Sequence, residues 1–360
     1  MIVDSRMFEA PVNTFDNYNI VMRLRPILKG LLTFVPGLRR MLPCRTAGPN
    51  RFASHCYERW IKHLTLLSAY GMTSVPRTMA ELGPGDTLGV GLAAMLCGVD
   101  TYYALDVVRY ANSKRDLEVF DNLVRLFEIR AGMTTKGWPD YDSLLDGSLF
   151  PSHILTEGVL QRSLNADRIS RIRDVLRNPD SGGDDVSIRY ITPWNEESEP
   201  IESCLDVVIS HTVLQHVVNL EQTYRSMSVW LKPGGIMSHQ IDFRCMGMAK
   251  EWNGHWACAE PLWKIVTGRR PYLINRQPLS EHIRLMRKYD LRTICLMKNQ
   301  RTDGIRRSQL AAPWKSLDDN DLTCSGAFVV ACREPAIRFS HLNRGQVIGL
   351  HQATDDTLKE

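Results

Sequence analysis

Residues 78–91 read Thr-Met-Ala-Glu-Leu-Gly-Pro-Gly-Asp-Thr-Leu-Gly-Val-Gly, and they constrain the fold more than any other part of the chain. A short apolar run ends in Glu81-Leu82, the turn Gly83-Pro84-Gly85 follows at once, and an apolar stretch continues through Met95-Leu96. Strand, tight turn and helix in that order predict the ligand-binding corner of an open α/β sheet. Glycine is required there because the backbone must turn sharply and leave room for a ligand.

Charge narrows the ligand. A dinucleotide fingerprint would need a third glycine at position 88, which is Leu88, and would set a pyrophosphate over the helix N-terminus. Asp86 in the turn and Glu81 at the strand end would repel that group. Two carboxylates suit a cation, and S-adenosylmethionine carries a sulfonium, an ammonium and no phosphate. Downstream, Tyr102-Tyr103-Ala104-Leu105-Asp106 reads as a second strand ending in an acid that can accept both ribose hydroxyls.

A further strand, residues 204–210, leads into His211-Thr212-Val213-Leu214-Gln215-His216-Val217. A helix over 220–231 follows and is stopped by Lys232-Pro233-Gly234-Gly235. Ser238-His239-Gln240-Ile241-Asp242-Phe243 then reads as part of the next strand. With these pieces the chain resembles class I S-adenosylmethionine-dependent methyltransferases over roughly residues 55 to 335. Ser238 to Phe243 and Glu251-Trp252-Asn253-Gly254-His255-Trp256 are similar to a bacterial subgroup with a His-x-Ile-Asp segment after the Pro-Gly-Gly turn. That subgroup is often tied to surface-glycan or secondary-metabolite chemistry, and Arg244-Cys245 stands where it commonly has an Asp-His pair.

The resemblance implies an α/β, Rossmann-like, seven-stranded sheet with helices on both faces. It implies S-adenosylmethionine as cofactor, S-adenosylhomocysteine as product and a small-molecule or saccharide acceptor. Cofactor contacts are expected from Glu81, Gly83, Pro84, Gly85, Asp106, Trp194, Asn195 and Ser210. For Trp194, stacking on the adenine and plugging the fold remain open. Methyl transfer is an in-line displacement that depends chiefly on alignment. An oxygen acceptor also gains from a base. His211, His239, Asp242 and His255 are the candidates at or after the carboxyl ends of the strands, where open sheets bind ligands. His239 and Asp242 have opposite parity and face opposite sides of the sheet. For each histidine, packing in the core is the competing role. O-methylation of a small-molecule, glycan or nucleotide-sugar acceptor is therefore expected. N-methylation and a non-catalytic partner subunit are the alternatives.

With 360 residues, 44% of them hydrophobic, the chain is long enough for one large core. The domain is expected over 54–335, with an extension at 1–53, a lid insertion at 132–185 and a tail at 336–360. The net charge of +4 comes without a basic run interleaved with aromatics, so no nucleic-acid partner is expected. Nine cysteines lack any C-x-x-C spacing, so no metal site is expected either. The odd cysteine count and the absence of a secretory pattern at the start point to the cytoplasm. Residues 18–43 mix leucines with Arg23, Arg25, Lys29, Arg39 and Arg40. They can either cover the domain or lie peripherally on the inner face of a membrane, with Pro26 and Pro36 breaking the stretch into pieces. The oligomeric state is not legible.

Overall fold

The computed structural model describes residues 22–35, 52–133, 138–139, 149–183, 185–194, 203–270 and 272–334. Asn195, the expected tail over 336–360, and parts of the expected extension and lid lie outside the described residues.

Seven strands form one sheet in the order β3-β2-β1-β4-β5-β7-β6. They are β1 (Thr78–Leu82), β2 (Thr101–Leu105), β3 (Ser187–Ile191), β4 (Leu205–His211), β5 (Leu231–Asp242), β6 (Leu291–Gln300) and β7 (Cys324–Arg333). The first five run parallel, and β7 lies antiparallel between β5 and β6. This is the Rossmann-like, seven-stranded architecture that the sequence pattern predicts. The order reverses direction between β1 and β4, so the crevice above their carboxyl ends is where such a sheet takes a ligand.

Helices cover both faces. On one lie α2 (Ala53–Ala69), α3 (Gly89–Met95), α4 (Ser113–Glu128) and α6 (Ala166–Arg177), which bury Trp60, Leu92, Phe120 and Ile172 against the strands. On the other, α7 (Leu220–Trp230) and α9 (Leu279–Lys288) bury Tyr224, Met227 and Met286. The helix α2 forms because Tyr57, Trp60, Ile61, Leu64 and Leu67 recur at helical spacing, and each is buried.

The described part of the 132–185 excursion belongs to this helical layer. It includes α5 (Glu157–Ser163) and α6. Arg168 of α6 is buried, pairs with Asp100 at 3.2 Å and donates to the Val99 carbonyl at 2.6 Å. Asp100 precedes β2, so α6 is anchored at the amino edge of the sheet, opposite the crevice.

At the N-terminal side, α1 (Leu24–Leu32) packs on α8 (Glu260–Thr267). Pro26 lies at the start of this nine-residue piece and does not interrupt it. It stands in the first turn, where the missing N–H has no partner in a helix anyway. Pro36 lies outside the described residues.

Candidate functional site

The chain leaves β1 at Leu82 and turns through Gly83 (φ 64°) and Gly85 (φ 79°), both in the left-handed region. Gly83 is also crowded, since a Cβ there would stand 2.7 Å from the Val213 side chain. The Gly83 N–H donates to the Leu105 carbonyl at 2.8 Å. The Gly85 N–H donates to the Asp106 carboxylate at 3.3 Å, and the Val107 N–H donates to it at 2.8 Å. Turn and acid thus form one unit at the carboxyl ends of β1 and β2. Burial raises the Asp106 pKa, and the two N–H donors work against that rise.

The N-terminus of α3 is closed from within. The Leu88 N–H donates to the Asp116 carboxylate at 2.9 Å, and the Gly89 N–H donates to the Thr87 hydroxyl at 3.1 Å. A carboxylate therefore occupies the place where a dinucleotide would set its pyrophosphate. That arrangement excludes the dinucleotide geometry and keeps the corner acidic.

Glu81 is 2% exposed and accepts the Tyr102 hydroxyl at 2.6 Å. Burial pushes its carboxyl up to about 7. Gly91 of α3 makes room for this pair, because a Cβ there would overlap the Tyr102 ring. The guanidinium of Arg59, on α2, acts on Glu81, His63 and His211 together. Among the described residues it has no hydrogen-bond partner. Sequence reading missed Arg59. The available signal was its place one helical turn before His63, on the helix that precedes β1.

The other expected cofactor residues are placed less openly. Trp194 is buried, with its ring edge-on to Trp230 at 5.6 Å, and its backbone N–H donates to the Asp106 carbonyl at 2.7 Å. The Ser210 hydroxyl bonds to His239 Nδ1 at 2.8 Å, on the face covered by α7 and α9. Pro84 sits in the turn, and Asn195 lies outside the described residues.

The histidines divide between the two faces. His239 is fully buried, three residues below the end of β5, and its ring is held at a pKa of about 3 by burial. His211 closes β4 on the opposite face, 5.9 Å from the His63 ring, with Nδ1 buried and unpartnered. Burial holds it well below the usual histidine range, as the nearby Arg59 does. His255 is 1% exposed, lies 4.5 Å from the Trp256 ring and is held at about 3 by burial. All are neutral near pH 7.

Asp242 ends β5 and is the expected base nearest open space. Arg244 clamps it through two side-chain bonds of 2.8 and 2.7 Å and donates its backbone N–H at 2.9 Å. This pair lines two spaces. Outside it lies a cavity of about 580 Å³ bounded by Arg23, Lys250, Glu251, Trp252, Arg301 and Asp303, among others. Inside lies a space of about 10 Å³ bounded by Gln215, His255 and Arg276, room for about one water. Both polar atoms of the Gln215 amide and Nδ1 of His255 are buried without a partner among the described residues. Arg301 is paired with Asp303, whereas Arg23 and Lys250 have no ion pair among the described residues. The cavity wall thus holds four basic and three acidic side chains, and its cations outside an ion pair among the described residues are Arg23 and Lys250. Sequence reading registered the Arg244 departure. It had no means of bringing these side chains to one wall.

No protein-family model matches the chain, and no curated protein matches it. Solved structures similar to it include a SAM-dependent methyltransferase from Methanosarcina mazei, 11% identical with a TM-score of 0.39. That match covers 75% of this chain and 97% of that one. A phosphoethanolamine N-methyltransferase 2 of Haemonchus contortus, in complex with S-adenosyl-L-methionine, is 14% identical with a TM-score of 0.38. It covers 78% of this chain but only 57% of that one. A geranyl diphosphate methyltransferase in complex with SAM is 12% identical with a TM-score of 0.38, covering 78% and 85%. The fold itself rests on the strand order given above.

Proposed function

We propose that the chain is an S-adenosylmethionine-dependent methyltransferase acting on a small anionic acceptor. The carrying observation is the acidic corner: Glu81, the left-handed Gly83 and Gly85, and Asp106 joined to Gly85, with the α3 N-terminus already filled by Asp116. The residues present fit a ligand with two cationic groups, a ribose diol and no phosphate. Asp106 would hold the ribose hydroxyls, Glu81 the cationic end, and Arg59 the carboxylate of the methionine portion. When bound, the cofactor supplies an activated methyl carbon.

The protein's share of the chemistry is alignment and exclusion of water. Leu82 lies level with His239 two strand spacings away, and Asp242 stands three residues further along β5, so the end of β1 and the Asp242 wall stand roughly 14 Å apart. The 580 Å³ cavity beside Asp242 is the proposed acceptor site, with Arg23 and Lys250 meeting an anionic group and Trp252 an apolar face. Its charge suits a nucleotide-sugar, an acidic saccharide or another acidic metabolite. An oxygen acceptor is proposed because Asp242 can take a hydroxyl proton once Arg244 yields. The Arg244 clamp favours the second reading, a nitrogen acceptor that needs no base.

The test is calorimetric titration of the purified chain with S-adenosylmethionine and S-adenosylhomocysteine, beside Asp106→Ala. Micromolar binding lost in the variant supports the reading. Absence of binding to either compound would reject it and bring forward the non-catalytic partner subunit. A methylated acceptor whose formation survives Asp242→Asn would favour nitrogen over oxygen.

A further inference from the structure

The described residues 22–35 dock on the domain and yet turn an apolar face outward. The docked side is explicit. Met22 pairs with Ala249, the Arg23 N–H donates to the Met248 carbonyl at 2.8 Å, and a Cβ at Gly30 would overlap the Ile265 carbonyl of α8. The Thr33 hydroxyl accepts the Arg269 N–H at 2.8 Å, which locks the end of α1 to the turn after α8. The outward side carries Leu24, Leu28, Leu31 and Leu32, at helical spacing, then Phe34 and Val35. They are 40–68% exposed. Ile265, on the adjoining α8 against Gly30, is also exposed at 36%.

Isolated exposed leucines are ordinary, but a contiguous apolar face on one helix marks a contact. The rim identifies its partner. Arg25 and Lys29 stand on α1, Lys264 on α8, and the exposed Arg269 lies 5.6 Å over the Phe34 ring. There is no acidic residue between 22 and 35. Leucine and phenylalanine within a cationic border match the headgroup and acyl boundary of an anionic bilayer. Among the described residues no helix is long and apolar enough to cross a membrane, so this contact is interfacial.

We infer that the outward face of α1, with Ile265, docks the protein on anionic membrane surfaces. Domain cover and membrane contact are then two sides of one helix. Arg23, which caps α1, also lines the 580 Å³ cavity, so docking brings the mouth of that cavity to the bilayer. Only this consequence, delivery of a lipid-anchored acceptor, rests on the functional reading above. The docking stands without it.

The test is flotation of the full chain with vesicles of phosphatidylcholine alone and of phosphatidylcholine mixed with phosphatidylglycerol, with no cofactor or acceptor present. Flotation with the mixed vesicles is expected. Leu28→Glu with Leu31→Glu should cut the bound fraction at least roughly tenfold, because two leucines lose their apolar burial. Both side chains face solvent, so the thermal midpoint should not move. Arg25→Glu with Lys29→Glu should remove the preference for phosphatidylglycerol, and added salt should do the same to the unaltered chain. Failure to float, or undiminished flotation of the Leu28→Glu/Leu31→Glu chain, would overturn the proposal. So would a dimer in light scattering that this double substitution splits, since the face would then belong to a second copy.

Discussion

Glu81 makes cofactor affinity depend on pH in a calculable way. Its carboxyl is buried beneath the Tyr102 hydroxyl and titrates at about 7 instead of its ordinary 4.5. A cationic ligand binds the carboxylate and not the acid, so the proton must leave before or during binding. If binding returns the group to its ordinary range, affinity falls by the factor 1 + 10^(7 − pH) as pH drops. The penalty is about 1.1-fold at pH 8 and about 11-fold at pH 6, a roughly tenfold span. At pH 6 binding should release about 0.9 proton. Burial holds the nearby His63 ring at about 3 and His211 well below the usual range, so neither contributes in this window. Calorimetry with S-adenosylmethionine in two buffers of different ionisation enthalpy measures both quantities. Glu81→Gln keeps an acceptor for the Tyr102 hydroxyl and should flatten the pH profile while weakening binding at pH 8. Equal affinity at pH 6 and 8 without proton release, or an unchanged slope in Glu81→Gln, would refute the argument.

Three further outcomes are expected. Arg59→Ala should weaken S-adenosylmethionine and S-adenosylhomocysteine alike by roughly tenfold or more, because both carry the carboxylate that a charge-assisted bond would hold; titration of both ligands checks this. Burial holds His63, His239, His255 and His282 at about 3, below their unfolded 6.5. Their contribution to stability is present above pH 6.5 and lost as pH falls toward 3, by about 2 kcal/mol each at pH 5. Glu81, at about 7, and Asp116, raised by burial to about 6, act in the opposite sense and recover part of that loss. Urea unfolding at pH 7 and pH 5 should therefore show a net drop of several kcal/mol. Arg168→Ala leaves Asp100 paired only with the exposed Arg77 and removes the donor to the Val99 carbonyl, and should cost about 1–3 kcal/mol in the same assay, without altering cofactor affinity if folding persists.

The corner at 78–91 was legible because its signals are local. A strand ending at Leu82, two glycines that must adopt positive φ, and a second strand ending before Asp106 all follow from neighbours in the chain. Apolar period and turn residues placed α7 to within one residue, whereas β5 begins at Leu231 and takes in the Lys232-Pro233-Gly234-Gly235 segment read as the stop. Parity correctly put His239 and Asp242 on opposite faces. Depth was not legible. Whether a histidine at the end of a strand meets solvent depends on the layer laid over it. Here α2 covers His211, and α9 brings His282 over the face where His239 bonds Ser210. Arg59, Gln215 and the Arg244 clamp were missed because each matters through a contact made across the fold.

The two halves of the site differ in charge. Glu81, Asp86, Asp106 and Asp116 gather within the first turn and its neighbours beside Arg59, whereas Arg23, Arg244, Lys250 and Arg301 outnumber Asp242, Glu251 and Asp303 around the cavity beyond β5. A cationic donor in the first and an anionic acceptor in the second would each be steered to its own side, and exchanging them would set like charges together. Asp242 stands between the two, and Arg244 neutralises it as long as no acceptor competes for the guanidinium. An anionic acceptor entering beside Trp252 would draw Arg244 toward itself and release the carboxylate that an oxygen acceptor needs. The base would then be freed only when its substrate is present. This order predicts that Arg244→Ala, with Asp242 permanently unclamped, lowers affinity for the acceptor more than it lowers turnover at saturation.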